Sequence, residues 1–214
     1  MGVSTIRLAR NTSLKCPAIL TDSKQSLNLP ATLDSDINFM KFTLDANTAN
    51  NPTASHAISM ANVATRAIDH VEVISGMVHV GGTAAGYDGS YTHDIAITNN
   101  NLHDAGVAQN DMQDSLQFNA QNVEVSGNTF GPSTDTGVAL LGGSAAKQTG
   151  HVVITNNLFF NNAQTCGVAE GNPIRGNAPD LIRESWDVTV ADTISCSNTY
   201  GYGIFFNQSH NVTV

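Results

Sequence analysis

Three segments of the chain read nearly alike: Asp94-Ile-Ala-Ile-Thr-Asn-Asn-Asn-Leu102, Asn122-Val-Glu-Val-Ser-Gly-Asn-Thr-Phe130 and His151-Val-Val-Ile-Thr-Asn-Asn-Leu-Phe159. Laid in register, their apolar residues stack as Ile95/Val123/Val152 and Ile97/Val125/Ile154, and an asparagine follows at Asn100, Asn128 and Asn157. Alternation at every second residue marks a short strand with one face inward. Recurrence at a spacing of roughly 20 to 50 residues marks a repeat architecture, in which one unit cannot bury its apolar face alone and must stack on the next. The expected fold is therefore all-β, a single-stranded parallel β-helix. The three asparagines form an expected structural ladder, because stacked amides can bond one another and the bent backbone along the stack.

Counting outward from these segments, unit starts fall at His70, Asp94, Asn122, His151, Asp187 and Asn211, at intervals of 24, 28, 29, 36 and 24 residues. Unequal units are expected when turns vary and strands do not. The longest interval carries an insertion at residues 171–185 that includes Arg175 and Arg183. Residues 1–36 read as an N-terminal cap region, with short strands expected at Ile6–Leu8, Ala18–Leu20 and Leu27–Leu33. Residues 37–214 form the repeat body. The chain stops four residues into a new unit with no capping segment, the pattern of a fragment or of a subunit whose end something else covers.

The chain has 214 residues, 13% of them charged, and a formal net charge of −9. No stretch concentrates Lys or Arg, which argues against nucleic acid and anionic membrane as partners. No apolar run is long enough to span a bilayer. The opening Met1-Gly-Val-Ser-Thr5 is not a signal peptide, and Ile6 breaks the myristoylation pattern. Cys16, Cys166 and Cys196 show no metal-ligand spacing; they read as buried thiols, with a Cys166–Cys196 bridge open if the protein is exported. Asn11, Asn207 and Asn211 begin glycan-acceptor triplets, which arise often in an Asn-rich chain.

A second strand family precedes the unit starts: Ala57–Met60, Ser115–Phe118, Gly137–Leu140, Gly167–Glu170 and Gly203–Phe206. Alternation aligns Ile58, Leu116, Val138, Val168 and Ile204 in one inward column, and Met60, Phe118, Leu140, Glu170 and Phe206 in the next. Glu170 is the one charged member of its column. An inward carboxylate needs a partner, and Arg175 or Arg183 can supply it. Alternatively these three line the mouth of a glycan groove. The residues just before the strands make a further column: His56, Asp114, Thr136, Cys166 and Tyr202.

Asp135 adjoins Thr136, so Asp114 and Asp135 are expected on adjacent strands, about 4.8 Å apart at the backbone. Two carboxylates so placed can divide acid and base roles, the apparatus of glycoside hydrolysis. The competing reading is structural, since Asp at strand ends bonds local backbone.

From about Ile37 onward the chain resembles the right-handed parallel β-helices of the pectin-lyase-like superfamily. Lys41-Phe-Thr-Leu-Asp-Ala-Asn47 resembles the "G-x-T-I-D-G-N" opening of many members. Gln113-Asp114-Ser-Leu and Thr134-Asp135-Thr-Gly-Val are similar to the "N-T-D-G-I" and "G-D-D-C" motifs of polygalacturonase-type glycoside hydrolases. That resemblance implies Asp135 as general acid and Asp114 as part of the water-activating base. The pattern departs at Thr136, where a second Asp would stand, and at Cys166, where the "G-H-G" histidine would fall. No "R-I-K" counterpart is found.

The functional expectation is a carbohydrate-active protein, extracellular or associated with a phage or cell surface, whose partner is a polysaccharide. As an enzyme it is a glycoside hydrolase using Asp114, Asp135 and Glu170, or a polysaccharide lyase using Arg175 or Arg183 to neutralise a uronate. Tyr202 and His56 join the arginines as substrate-binding candidates, with Tyr87, Tyr91 and Tyr200 as further stacking platforms or packing residues. The alternatives are a non-catalytic tailspike or adhesin module, expected as a homotrimer, and a structural β-helix segment. His79, His93, His103 and His151 lack zinc spacing. His93-Asp94 and His103-Asp104 read most simply as turn residues. Related β-helix lyases often use calcium, and Asp88, Asp94 and Asp104 are oxygen candidates, but no calcium loop pattern is present.

Overall fold

In the computed structural model the described residues are 4–9, 18–23, 34–35, 38–51, 56–61, 63–81, 92–107, 113–140, 149–162, 165–170, 185–192, 202–205 and 210–214. They are all-β, without a helix. Among them no helix is long and apolar enough to cross a membrane.

The strands come in triplets. The first comprises β1 (Ser4–Arg7), β2 (Ala18–Ser23) and the broken pair β3 (Asp34–Ser35) and β4 (Phe39–Met40). Then follow β5 (Phe42–Asp45), β6 (His56–Ala61) and β7 (Val63–Asp69), and β8 (Glu72–Ile74), β9 (Met77–Gly81) and β10 (His93–Thr98). Next are β11 (Asn101–His103), β12 (Leu116–Asn119) and β13 (Gln121–Ser126), then β14 (Thr129–Phe130), β15 (Thr136–Leu140) and β16 (Thr149–Thr155). The last are β17 (Leu158–Phe159), β18 (Thr165–Glu170), β19 (Ser185–Ala191), β20 (Tyr202–Phe205) and β21 (His210–Thr213).

Each member of a triplet joins a different parallel sheet. Sheet A runs β1-β5-β8-β11-β14-β17, sheet B runs β2-β6-β9-β12-β15-β18-β20, and sheet C runs β3-β7-β10-β13-β16-β19-β21 with β4 also on β7. Strands from the expected cap region (residues 1–36) therefore occupy places in all three sheets.

Inward residues stack in columns. Sheet A contributes Leu44, Val73, Leu102, Phe130 and Phe159, all fully buried. The last two rings stack with centroids 5.0 Å apart. Sheet C aligns Ile68, Ile97, Val125, Ile154 and Val190. Each such fully buried side chain stabilises the fold by about 1.5–3 kcal/mol. Arg66 interrupts the second sheet C column: it is buried opposite Ile95, and its Nη1 donates to the Ala64 carbonyl at 3.3 Å.

The asparagine ladder is present. Asn100 N–H donates to Asn128 Oδ1 and Asn128 N–H to Asn157 Oδ1, both at 2.9 Å. The amide nitrogens of Asn100, Asn128 and Asn157 donate to the carbonyls of Ile68, Ile97 and Val125 at 2.8, 2.8 and 2.9 Å. The ladder thus satisfies backbone groups at the turn from sheet C to sheet A, where bending leaves them outside the strand pairing.

One unit start moves. His70 is not the counterpart of Asp94, because His93 pairs with Ala64 and Ile95 with Arg66, which places Thr65 opposite Asp94. The interval from Thr65 to Asp94 is 29 residues rather than 24. Val71 instead heads the ladder, donating its N–H to Asn100 Oδ1 at 2.8 Å. Five of the starts share a backbone property: Thr65, Asp94, Asn122, His151 and Asn211 have φ of 53°, 58°, 53°, 54° and 57°. Asn, Asp and His tolerate this left-handed region best among residues with a Cβ, which is why they recur there. The second strand family also gains a member, β9, whose Val78 and Val80 continue the two inward columns of sheet B. Of the expected N-terminal strands, Leu27–Leu33 lies outside the described residues.

Candidate functional site

In sheet B the core takes Ile58, Val78, Leu116 and Val138 in one column and Met60, Val80, Phe118 and Leu140 in the other. The residues between them, Ser59, His79, Gln117 and Ala139, are Cα partners in turn and by alternation face away from the core. This outer face gathers the chemistry. The rings of His56 and His79 lie 5.3 Å apart, tilted by 51°. One strand further on, Gln117 Nε2 donates to Asp114 Oδ2 at 3.4 Å.

Asp114 lies next to Asp135 as the spacing predicted. Ser115 N–H donates to the Thr136 carbonyl at 2.9 Å and Asp135 N–H to the Gln113 carbonyl at 3.1 Å, so the two short segments run side by side. Thr136 holds both carboxylates: its N–H donates to Asp114 Oδ1 at 3.1 Å and its Oγ1 to Asp135 Oδ1 at 3.4 Å. Gln113 N–H in turn donates to Thr134 Oγ1 at 3.1 Å. Each aspartate is only 8% exposed, so the pair is brought together but held largely under the surface rather than in an open groove.

His79 is the residue that sequence spacing does not single out. Its side chain is 5% exposed and its Nε2 has no hydrogen-bond partner. Burial, and then the proximity of His56, push its pKa down to about 3. A charged imidazole is costly there, so the ring is neutral at ordinary pH. The signal available in the sequence was the alternation of Met77-Val-His-Val80, which makes His79 the outward residue of a buried strand.

The remaining candidates are placed only by backbone register. Glu170 stands opposite Leu140 in the expected column. Tyr202 pairs with Thr165, and Thr165 with Thr136, so Thr165 and not Cys166 occupies that column. A register shift between Thr165 and Val168 absorbs the extra residue. Arg175 and Arg183, and Tyr87, Tyr91 and Tyr200, lie outside the described residues. The histidine–aspartate neighbours His70/Asp69, His93/Asp94 and His103/Asp104 are bonded at 2.8, 2.7 and 2.8 Å. Asp104 follows β11 with a left-handed φ, in keeping with the turn reading, whereas His93 and Asp94 stand within β10, Asp94 also with a left-handed φ. Among the described residues, no three His, Cys, Asp or Glu side chains converge as a metal site.

No family model matches the chain, and neither a curated protein nor a solved structure matches it.

Proposed function

We propose that the three sheets close into a single right-handed parallel β-helix of the pectin-lyase-like kind, acting on a polysaccharide at the outer face of sheet B. The parallel pairing of each strand with its counterpart in the next triplet supports this architecture. Crossover connections between parallel strands are right-handed in nearly all proteins. On this reading the protein is extracellular or carried on a phage or cell surface.

The observation that carries the enzymatic reading is the hold of Thr136 on both Asp114 and Asp135. The Thr136 N–H and the Gln117 amide both donate to Asp114, which suits a carboxylate that accepts a proton from water. Asp135 then protonates the glycosidic oxygen. Glu170 is the third carboxylate of the proposal. His56, Tyr202, Arg175 and Arg183 contribute sugar contacts, and in a lyase one arginine neutralises a uronate. Calcium would enter only with the lyase version.

A second reading rests on the same hydrogen bond. A carboxylate that caps a backbone N–H and is 8% exposed serves the fold, and the face then binds glycan without cleaving it, as a homotrimeric adhesin or tailspike module does.

Product analysis on neutral and uronic polysaccharides separates the readings, comparing the parent with Asp114→Asn and Asp135→Asn. Loss of cleavage by about 10²–10⁴-fold in both variants, with folding intact, is the expected result for paired acid and base. Unchanged cleavage would remove both aspartates from the mechanism and direct attention to Glu170. Glycan binding without turnover would establish the adhesin reading.

A further inference from the structure

Among the described residues, the strands of sheet B carry two buried polar atoms without hydrogen-bond partners on their outer face, His79 Nε2 and Asn119 Oδ1. Both residues are outward by alternation, His79 between Val78 and Val80 and Asn119 after Phe118, all three of these apolar residues being in the core. They are also neighbours, because β12 pairs with β9 through Gln117↔His79 and Asn119↔Gly81. Strand spacing and rise put their Cα atoms about 8 Å apart. An unmet buried polar atom costs about 1–3 kcal/mol, so two on one face point to an occupant that supplies their bonds.

We propose that His79 and Asn119, with His56 beside them, form a subsite for the hydroxyls of an uncharged sugar, and that this face selects neutral glycans over polyuronates. The inference rests on the polysaccharide reading above and narrows its substrate class. A hydroxyl donates and accepts at once, so it can serve the amide oxygen of Asn119 and either tautomer of a neutral imidazole. The strands β6, β9, β12 and β15 carry no Lys or Arg, while Asp114 and Asp135 lie on the same part of the sheet. A uronate carboxylate there would meet like charge at short range. Sites that hydrogen-bond a hydroxyl from buried polar atoms also discriminate strongly, since a ligand lacking that group leaves them unpaired.

The test uses the full chain, titrated with gluco-, manno- and xylo-oligosaccharides and with oligogalacturonate. Calorimetry reads affinity, and nitrogen resonances of the histidine rings report the site. The expected result is binding of a neutral oligosaccharide with a shift of the His79 ring nitrogens. His79→Leu then weakens binding by about tenfold or more, and His79→Gln, which keeps a polar group, weakens it less. Tighter binding of oligogalacturonate, or neutral-sugar binding that leaves the His79 resonances unmoved, overturns the subsite while leaving the polysaccharide reading in place. Binding of neither class overturns both and assigns the two polar atoms to water.

Discussion

Thr136 N–H lies 3.1 Å from the Oδ1 of Asp114, a residue that stands just before the neighbouring strand of sheet B, β12. The bond joins the first candidate carboxylate to the residue beside the second. Asp114→Asn keeps an oxygen to accept it, so stability is expected to change by less than about 1 kcal/mol. Asp114→Ala strands a buried N–H and is expected to cost about 1–3 kcal/mol. Urea unfolding of the two variants measures the difference, and equal stabilities would show that the bond contributes nothing to the fold.

The middle of the asparagine ladder is its most connected point. Asn128 donates to the Ile97 carbonyl and accepts from Asn100 N–H and Nδ2, at 2.8, 2.9 and 3.0 Å. Asn128→Leu leaves several of these groups buried and unmet, with an expected loss of about 2–5 kcal/mol. Hydrogen exchange at the Asn100 amide is expected to accelerate in the same variant. A stable variant with unchanged protection would contradict the ladder's role.

His79 makes a prediction about acid. The unfolded chain protonates this ring below its usual value near 6.5, whereas the folded chain keeps it neutral down to about 3. Between those values the unfolded state binds more protons, so stability is present above the window and is lost as pH falls through it. The limiting slope for one group is about 1.4 kcal/mol per pH unit. Unfolding free energies from pH 7 to 3 are expected to be flatter in His79→Gln than in the parent. Parallel curves would place the acid sensitivity elsewhere.

Asp69 titrates lower and with the opposite chemistry. Burial works to raise its pKa, but hydrogen bonds from Thr98, His70 and Asn99, with the nearby His70 charge, bring it down to about 2. The stabilisation is complete above the unfolded value near 4 and is lost as pH falls through about 2. Asp69→Asn is expected to remove the acid sensitivity of that lower window while leaving the His79 window intact, as denaturation midpoints between pH 4 and 2 would show.

Thr65 is the poor fit among the left-handed unit starts. It is exposed, β-branched, and held at a φ of 53°. Asn or Gly adopts this conformation at lower cost, so Thr65→Asn and Thr65→Gly are expected to stabilise by about 0.5–1 kcal/mol. A lower melting temperature in both would mean that the threonine makes a compensating contact.

Much of the scaffold was legible in the residues themselves. Alternation identified β10, β13 and β16 and the columns they build, the recurring asparagines announced the ladder, and spacing put Asp114 beside Asp135 and Glu170 opposite Leu140. These are local patterns, and strand periodicity and turn chemistry act over a few residues. His70-Val-Glu-Val-Ile74 mimicked a unit start because its alternation is the same as that of the true ones. The actual strand, Val63–Asp69, carries Arg66 inward and Thr65 left-handed, choices that residue type disfavours and that pairing with β10 decides. Burial of Asp114, Asp135 and His79, and the approach of His56 to His79, likewise depend on strands distant in sequence. The sequence by itself determined which residues alternate, turn and stack. The tertiary structure decided which strands became neighbours, and hence which polar groups are buried, because register and cover are properties of the assembled sheets and not of any one segment.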